Sequence, residues 1–248
     1  MKETLLSVLR LGHRFPDGSY AFREVSLSIA AGEFILLTGR NGSGKSVFLQ
    51  HLNALRTPCE GSILYRSLPA LDDIGLLRGR VGYVFQNADT QIIGATVLDD
   101  VRFGPLNAGL SRAAADERAA AACAACSLSG FESRAPHTLS GGEKRRLAIA
   151  GVLAMDPEII IFDEPFENLD YEGVVLVLSI MRSLHKTGRT IITVTHDLEK
   201  CAAHATRIIA FEKGRLVLDA KPASALKIIH RYGLKKHDPR RLKEMTWL

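Results

Sequence analysis

The chain has 248 residues, 46% hydrophobic and 24% charged, the proportions of an ordinary soluble globular protein, long enough for one large domain or two small ones. No apolar run approaches the roughly 18 residues of a membrane span, and Met1 to Val8 carries an acid and lacks the apolar core of a secretory signal, so the expected location is the cytosol, with docking on a membrane protein left open. The net charge of +5 is uneven, with nine Lys/Arg against three Asp/Glu from Gly214 onward, a basic tail that suits a solvated surface, anionic lipid or nucleic acid.

Leu5 to Gly12 and Val25 to Ile29 read as strands around a turn at Phe15-Pro16-Asp17-Gly18. Glu33 to Thr38 is an apolar run with the look of a buried strand, and Val47 to Leu55 can continue as a helix. Ser62 to Tyr65 and Arg80 to Phe85 are further strand candidates. From Asn87 to about Ala135 strand signals vanish, and Ser111 stands as N-cap of an alanine-rich helical stretch. Cys123 and Cys126 lie in that stretch at C-x-x-C spacing, without a second Cys pair or a nearby His pair. They read as small helix residues. With Cys59 and Cys201 they make no disulfide framework in a chain this size. Beyond this block the alternation resumes: strand 158–163, helix 171–186, strand 189–195, then a hairpin of 206–212 and 215–220 over Lys213-Gly214. Strands alternating with helices predict an α/β fold with a largely parallel sheet.

Three stretches carry chemistry. Gly39-Arg40-Asn41-Gly42-Ser43-Gly44-Lys45-Ser46 fits G-x-x-x-x-G-K-[S/T] at every fixed position, between a strand and a helix. The glycines let backbone N–H groups converge on nucleotide phosphates, and the helix N-terminus adds donors and partial positive charge. Lys45 can reach the same phosphates and the Ser46 hydroxyl can ligate Mg²⁺. Second, the apolar run from Glu158 ends in Asp163-Glu164, two carboxylates at the C-terminal end of a core strand, where ligands collect in open α/β sheets. Asp163 is placed to hold Mg²⁺ and Glu164 to polarise an attacking water. Third, Ser140 and Glu143 in Leu139-Ser140-Gly141-Gly142-Glu143 have capping-box spacing. That predicts a helix start, which either stands alone as a cap or lets a phosphate approach the two glycines.

Leu139 to Glu143 resembles the signature motif of the ATP-binding cassette ATPases, with Glu143 where many members have Gln. The other motifs of that family follow in order over about Phe15 to Gly214. The resemblance implies a P-loop NTPase of cassette type, with an N-terminal antiparallel β subdomain. It implies an ATPase domain over 1–220, a helical subdomain inserted at about 87–155 and a basic helical extension over 221–248. It implies ATP and Mg²⁺ as cofactors and ATP hydrolysis as the reaction. Gln86 matches the glutamine that senses Mg²⁺ and couples to a membrane partner, His196 the switch histidine at the γ-phosphate, and Glu167 to Asp170 the loop crossing the dimer interface. Phe15 stands where an aromatic, commonly Tyr, stacks on adenine. Nucleotide contacts are implied for Phe15, for Gly39 and Asn41 through Val47, and for the partner's Ser140, Gly141 and Gly142. Lys45, Gln86, Glu164 and His196 are implied in catalysis, and Ser46, Gln86 and Asp163 in holding the metal. Phe166 and Glu167 depart from the pattern, since small residues are usual after Asp-Glu-Pro.

Val84 to Gln91, with Thr96-Val97, Asp99 to Val101 and Phe103 to Asn107, is similar to the energy-coupling-factor branch, which drives uptake of vitamins or of cobalt and nickel ions. Ala88 stands where Pro is common there. The partners implied are a second ATPase subunit, identical or paralogous, a transmembrane scaffold and an integral membrane substrate-binding subunit, with no nucleic acid. An alternative, a cassette ATPase acting on nucleic acid or the ribosome, draws on the basic tail but lacks the coiled coil or second cassette usual there. A subunit that binds ATP without hydrolysing it sits badly with the intact Lys45, Asp163, Glu164 and His196.

Overall fold

Apolar residues on successive positions of a core strand must serve two cores, one on each face, because side chains alternate along a strand. The computed structural model, which describes residues 2–248, shows this for the first apolar run. In β3 (Phe34–Gly39), Phe34 and Leu36 enter one hydrophobic cluster and Ile35 and Leu37 the other. In β7 (Ile159–Asp163), Ile160 and Phe162 belong to the first, Ile159 and Ile161 to the second. Each such side chain contributes roughly 1.5–3 kcal/mol by leaving water, which is why these runs contain no polar interruption before Asp163.

One cluster lies between two sheets. β1 (Thr4–Arg14) and β2 (Tyr20–Ala30) pair antiparallel, and β4 (Glu60–Tyr65) and the short β5 (Leu68–Pro69) complete a four-stranded sheet in the order β2-β1-β4-β5. Against it lies helix α1 (Lys45–Leu52), which contributes Phe48, Leu49 and Leu52 to the shared core. The helix α2 (Ile74–Arg80) leads into β6 (Val81–Val84).

The other cluster lies under helices. α3 (Val97–Asn107), α4 (Arg112–Ala125), α5 (Gly141–Leu153) and α6 (Tyr171–Lys186) all supply buried residues to it. After β8 (Thr190–Val194) and the single turn α7 (Leu198–Cys201), β9 (Arg207–Glu212) and β10 (Arg215–Ala220) close the main sheet in the order β10-β9-β3-β8-β7-β6. Its neighbours are parallel except for the β9–β10 hairpin. The tail adds α8 (Pro222–Ile228) and 3₁₀ turns at Ile229–Tyr232 and Pro239–Glu244. Leu226, Ile229 and Met245 of the tail are buried in the helical core.

Boundaries moved where caps decide them. The helix read at 47–55 starts two residues earlier and ends at Leu52, and the strand read at 80–85 is Val81–Val84. Ser111 caps α4 as read, accepting from Ala114 N. α3 was legible only as part of a helical block: Thr96 caps it, but Gly104 and Pro105 inside it break the sequence pattern. Cys123 and Cys126 are free, buried thiols within the helical core, and burial pushes Cys126 up to about 12. They fill space.

Candidate nucleotide site

Glycine is required at two points of the phosphate loop by close backbone contacts. A Cβ on Gly39 would meet Phe211 O at 2.2 Å and one on Gly44 would meet Ala21 O at 2.3 Å, and both residues have φ in the left-handed half. The loop therefore packs directly on β9 and β2 and delivers Lys45 to the first turn of α1. Lys45 is buried, and its Nζ donates to Gly39 O at 2.8 Å and Arg40 O at 3.1 Å. Burial lowers its pKa, opposed by the charges of Glu164 and Asp163.

Asp163, at the end of β7, is held at both oxygens. Ser46 Oγ donates to Oδ1 at 3.0 Å and Tyr83 Oη to Oδ2 at 2.7 Å. Tyr83 is buried in β6, and burial, followed by the Asp163 charge, pushes its phenol pKa well up, so it remains a donor. Nothing in the local pattern marks Tyr83's role, because within Val81–Val84 it reads as one more strand residue.

The next residue turns sharply. Glu164 has φ 47 and its N–H donates to Val194 O at 3.2 Å, a backbone conformation uncommon for a non-glycine residue. The turn leaves the half-buried carboxyl of Glu164 facing the loop. Burial pushes its pKa up to about 7; Lys45 opposes the rise, and Asp163 and Glu167 add to it. His196, carried past the end of β8, places Nε2 3.0 Å from Glu164 Oε1. Burial and Lys45 lower the imidazole pKa, so near neutrality the pair competes for a single proton.

Asn41 through Val47 line a cavity of about 480 Å³ together with Gln86, Glu164, Phe166, Glu167, Thr195, His196 and Asp197. Most of the residues read from the sequence thus meet in one place. Phe15 does not line it: it is half-buried beside the inter-sheet core, edge-on to His13 with ring centres 5.3 Å apart. Ser140, Gly141 and Gly142 line a different groove, with Asn168, Leu169 and Asp170. There the capping box is complete, Ser140 Oγ accepting from Glu143 N and Glu143 Oε2 from Ser140 N. Nothing lies within 4 Å of a Cβ built on Gly141 or Gly142, so the backbone at the start of α5 is open to an approaching ligand. The signature and the phosphate loop of one chain do not share a cavity.

Between these grooves sits a third set of contacts that no pattern foretold. Gln86 Nε2 donates to Glu167 Oε2 at 2.6 Å. Gln91 Oε1 accepts from Phe85 N and its Nε2 donates to Ala148 O of α5, each at 2.9 Å, while the buried Arg145 donates to Phe85 O at 2.8 Å. Among the described residues no cluster of three His, Cys, Asp or Glu could hold a metal. Ser46 Oγ beside Asp163 Oδ1, with the Gln86 amide on the cavity wall, is instead a sparse hard-oxygen set. It fits Mg²⁺, which keeps several waters and shares its remaining positions with substrate phosphates.

A protein-family model described as ABC transporter matches residues 22–167. The chain belongs to the ABC transporter ATPase family. It is 42% identical over 225 residues to the cobalt import ATP-binding protein CbiO of Rhodobacter capsulatus, covering 90% of this chain and 80% of that one. It is 40% identical over 212 residues to the energy-coupling factor transporter ATP-binding protein EcfA of Methanocaldococcus jannaschii, covering 84% and 76%. The structure of cbiO1 from Clostridium perfringens, described as part of the ABC transporter complex cbiONQ, superposes with a TM-score of 0.82 at 32% identity, covering 98% of this chain and 99% of that one. This ABC ATPase therefore groups with ATP-binding subunits of the energy-coupling-factor type.

Proposed function

We propose that this ABC ATPase energises uptake of a small solute, a vitamin or a cobalt or nickel ion, from the cytoplasmic face of a membrane. The observation that carries the reading is the division of labour within one chain. Lys45, Ser46, Glu164 and His196 line one cavity, with Asp163 bonded to Ser46 behind it, while Ser140 to Gly142 open onto another. A second ATPase subunit, identical or paralogous, supplies the missing signature face.

In that assembly Lys45 Nζ exchanges its two loop carbonyls for phosphate oxygens, and the loop N–H groups orient the β- and γ-phosphates. Ser46 and Asp163, with Gln86, would hold Mg²⁺, which would neutralise charge at the phosphates. Tyr83 and Ser46 keep the Asp163 carboxylate from rotating. Glu164 in its ionised form accepts the proton of the attacking water. His196 Nε2, 3.0 Å from that carboxyl, fixes its rotamer and reaches the γ-phosphate side of the cavity.

The surface beyond Gln91 fits a membrane partner. Asn53, Leu55, Arg78, Phe85, Ile93 and Phe103 line a groove of about 260 Å³, and Ile93 and Phe103 are 63% and 47% exposed. Exposed apolar side chains in a groove suit the apolar face of a helix. No helix of the described residues is long and apolar enough to cross a membrane, so attachment runs through such partners, a transmembrane scaffold and a substrate-binding membrane protein. The alternative of a nucleic-acid machine draws on the basic tail, where Lys235 pairs with Glu199 outside it while Arg240 and Arg241 pair with the tail's own Asp238 and Glu244. The test is a mild-detergent pull-down of the tagged protein from its native membranes. A transmembrane scaffold arriving with a small integral membrane protein supports the proposal; recovery of only soluble or nucleic-acid partners contradicts it.

A further inference from the structure

Gln86 is fixed at both ends. At its base, the preceding residue is clamped: Phe85 N–H is received by Gln91 Oε1 at 2.9 Å and Phe85 O receives Arg145 Nη1 at 2.8 Å. At its tip, the amide nitrogen is 2.6 Å from Glu167 Oε2. An ionised carboxylate can only accept hydrogen bonds, so the half of the amide that faces Glu167 must be the NH₂ group. The amide is planar, which turns the oxygen, the one head-group atom able to ligate a cation, away from Glu167 and leaves it uncommitted. Glu167 is itself placed by its turn, its N–H donating to Glu164 O at 3.2 Å, and it lines the nucleotide cavity next to Gln86 and Glu164. The buried Arg145 lines the neighbouring groove together with Gln86 and Glu167. A small residue at this position has no acceptor to offer, and the amide of Gln86 would then be free to present either edge.

We propose that Glu167 is a positioning residue: it orients the Gln86 side chain so that the amide oxygen, not the nitrogen, is presented to the metal at the phosphate cavity. The proposal rests on the reading of Gln86 as a Mg²⁺ ligand. Orientation is the operative property, and the charge of Glu167 is secondary. A glutamine at 167 offers the Gln86 NH₂ group an acceptor but also carries a donor that can hold the opposite edge, so it keeps part of the orienting effect, whereas alanine keeps none.

The test measures binding of a fluorescent, non-hydrolysable ATP analogue to the full-length chain across a Mg²⁺ titration, with a parallel series in EDTA. Glu167→Ala is expected to raise the Mg²⁺ concentration for half-saturation about tenfold, the scale of one charge-assisted hydrogen bond. Glu167→Gln is expected to restore it to within about threefold of the wild type, less than half of that energy. On a Gln86→Ala background, Glu167→Ala is expected to add nothing, and affinity in EDTA is expected to be the same in all variants because the phosphate loop is untouched. A normal Mg²⁺ dependence in Glu167→Ala overturns the proposal while leaving Gln86 as a ligand. Equal losses in Glu167→Gln and Glu167→Ala overturn it in favour of a purely electrostatic effect. A Gln86→Ala variant with wild-type Mg²⁺ dependence removes the premise and the proposal with it, and loss of binding in EDTA would instead implicate the phosphate loop.

Discussion

His196 Nε2 and Glu164 Oε1 stand 3.0 Å apart at the ends of two neighbouring parallel strands. Burial raises the carboxyl pKa to about 7 and lowers that of the imidazole, so both groups are driven toward their neutral forms while facing each other. In the nucleotide-free protein this has a consequence for stability. A carboxyl whose folded pKa lies above its unfolded value stabilises the fold below the unfolded pKa, near 4.5, and that contribution is lost as pH rises through about 7. Glu164→Gln removes the titration. The variant is expected to gain stability relative to wild type between pH 5 and 8, by up to about 3 kcal/mol. Denaturant unfolding of the two apo proteins at both pH values checks it; a difference independent of pH contradicts it.

Tyr83→Phe deletes the donor to Asp163 Oδ2 together with the phenol's contact with Gln50. The buried carboxylate is left with one partner short, a loss of about 1–3 kcal/mol. Thermal unfolding should show that destabilisation, and Mg²⁺-dependent nucleotide binding should weaken with it, since Asp163 can then rotate.

Two glycine substitutions should fail in opposite ways. Gly44→Ala drives a Cβ to within 2.3 Å of Ala21 O at a left-handed φ, so both folding stability and nucleotide binding are expected to fall. Gly142→Ala meets nothing within 4 Å. Its unfolding transition and its single-chain nucleotide affinity should match wild type, while ATP hydrolysis in the assembled transporter drops, because the added methyl narrows the face offered to the partner's nucleotide. Normal hydrolysis by Gly142→Ala would remove the signature groove from the site.

Near the chain end, Trp247 ties the tail to the segment that follows His196. Its ring packs tilted against Tyr171 with centroids 5.3 Å apart, its backbone N–H donates to Lys200 O at 3.1 Å, and Lys200 Nζ lies 4.9 Å from its centroid while pairing with Asp197. Trp247→Ala is expected to cost about 1–3 kcal/mol, read by thermal unfolding. An unchanged transition would mean that the tail does not brace α7.

What the sequence made legible follows from where the information lies. The phosphate loop, the strand ending in Asp163-Glu164 and the capping box at Ser140 are local, and each has its physics within a few consecutive residues. The two-sided burial of β3 and β7 was legible for the same reason. Tyr83 was not, because its partner depends on the parallel register that pairs Tyr83 with Ile161 and Val84 with Phe162. That register also carries Gln86 beside Glu167, residues 81 positions apart. The tail read only as a basic patch because the contact of Lys235 with Glu199 joins it to a segment distant in sequence. Phe15 read as an adenine platform through family resemblance, and it packs beside the inter-sheet core outside the cavity wall.

If Glu164 activates the attacking water in an ATPase that powers transport, its amide variant binds ATP without turning it over. The measurement that tests this most directly is steady-state ATP hydrolysis by the complex purified from native membranes, wild type against Glu164→Gln, with bound ATP quantified in parallel. The expected result is a fall in turnover of at least about 100-fold with ATP retained in the variant. Hydrolysis at the wild-type rate in Glu164→Gln would contradict the account.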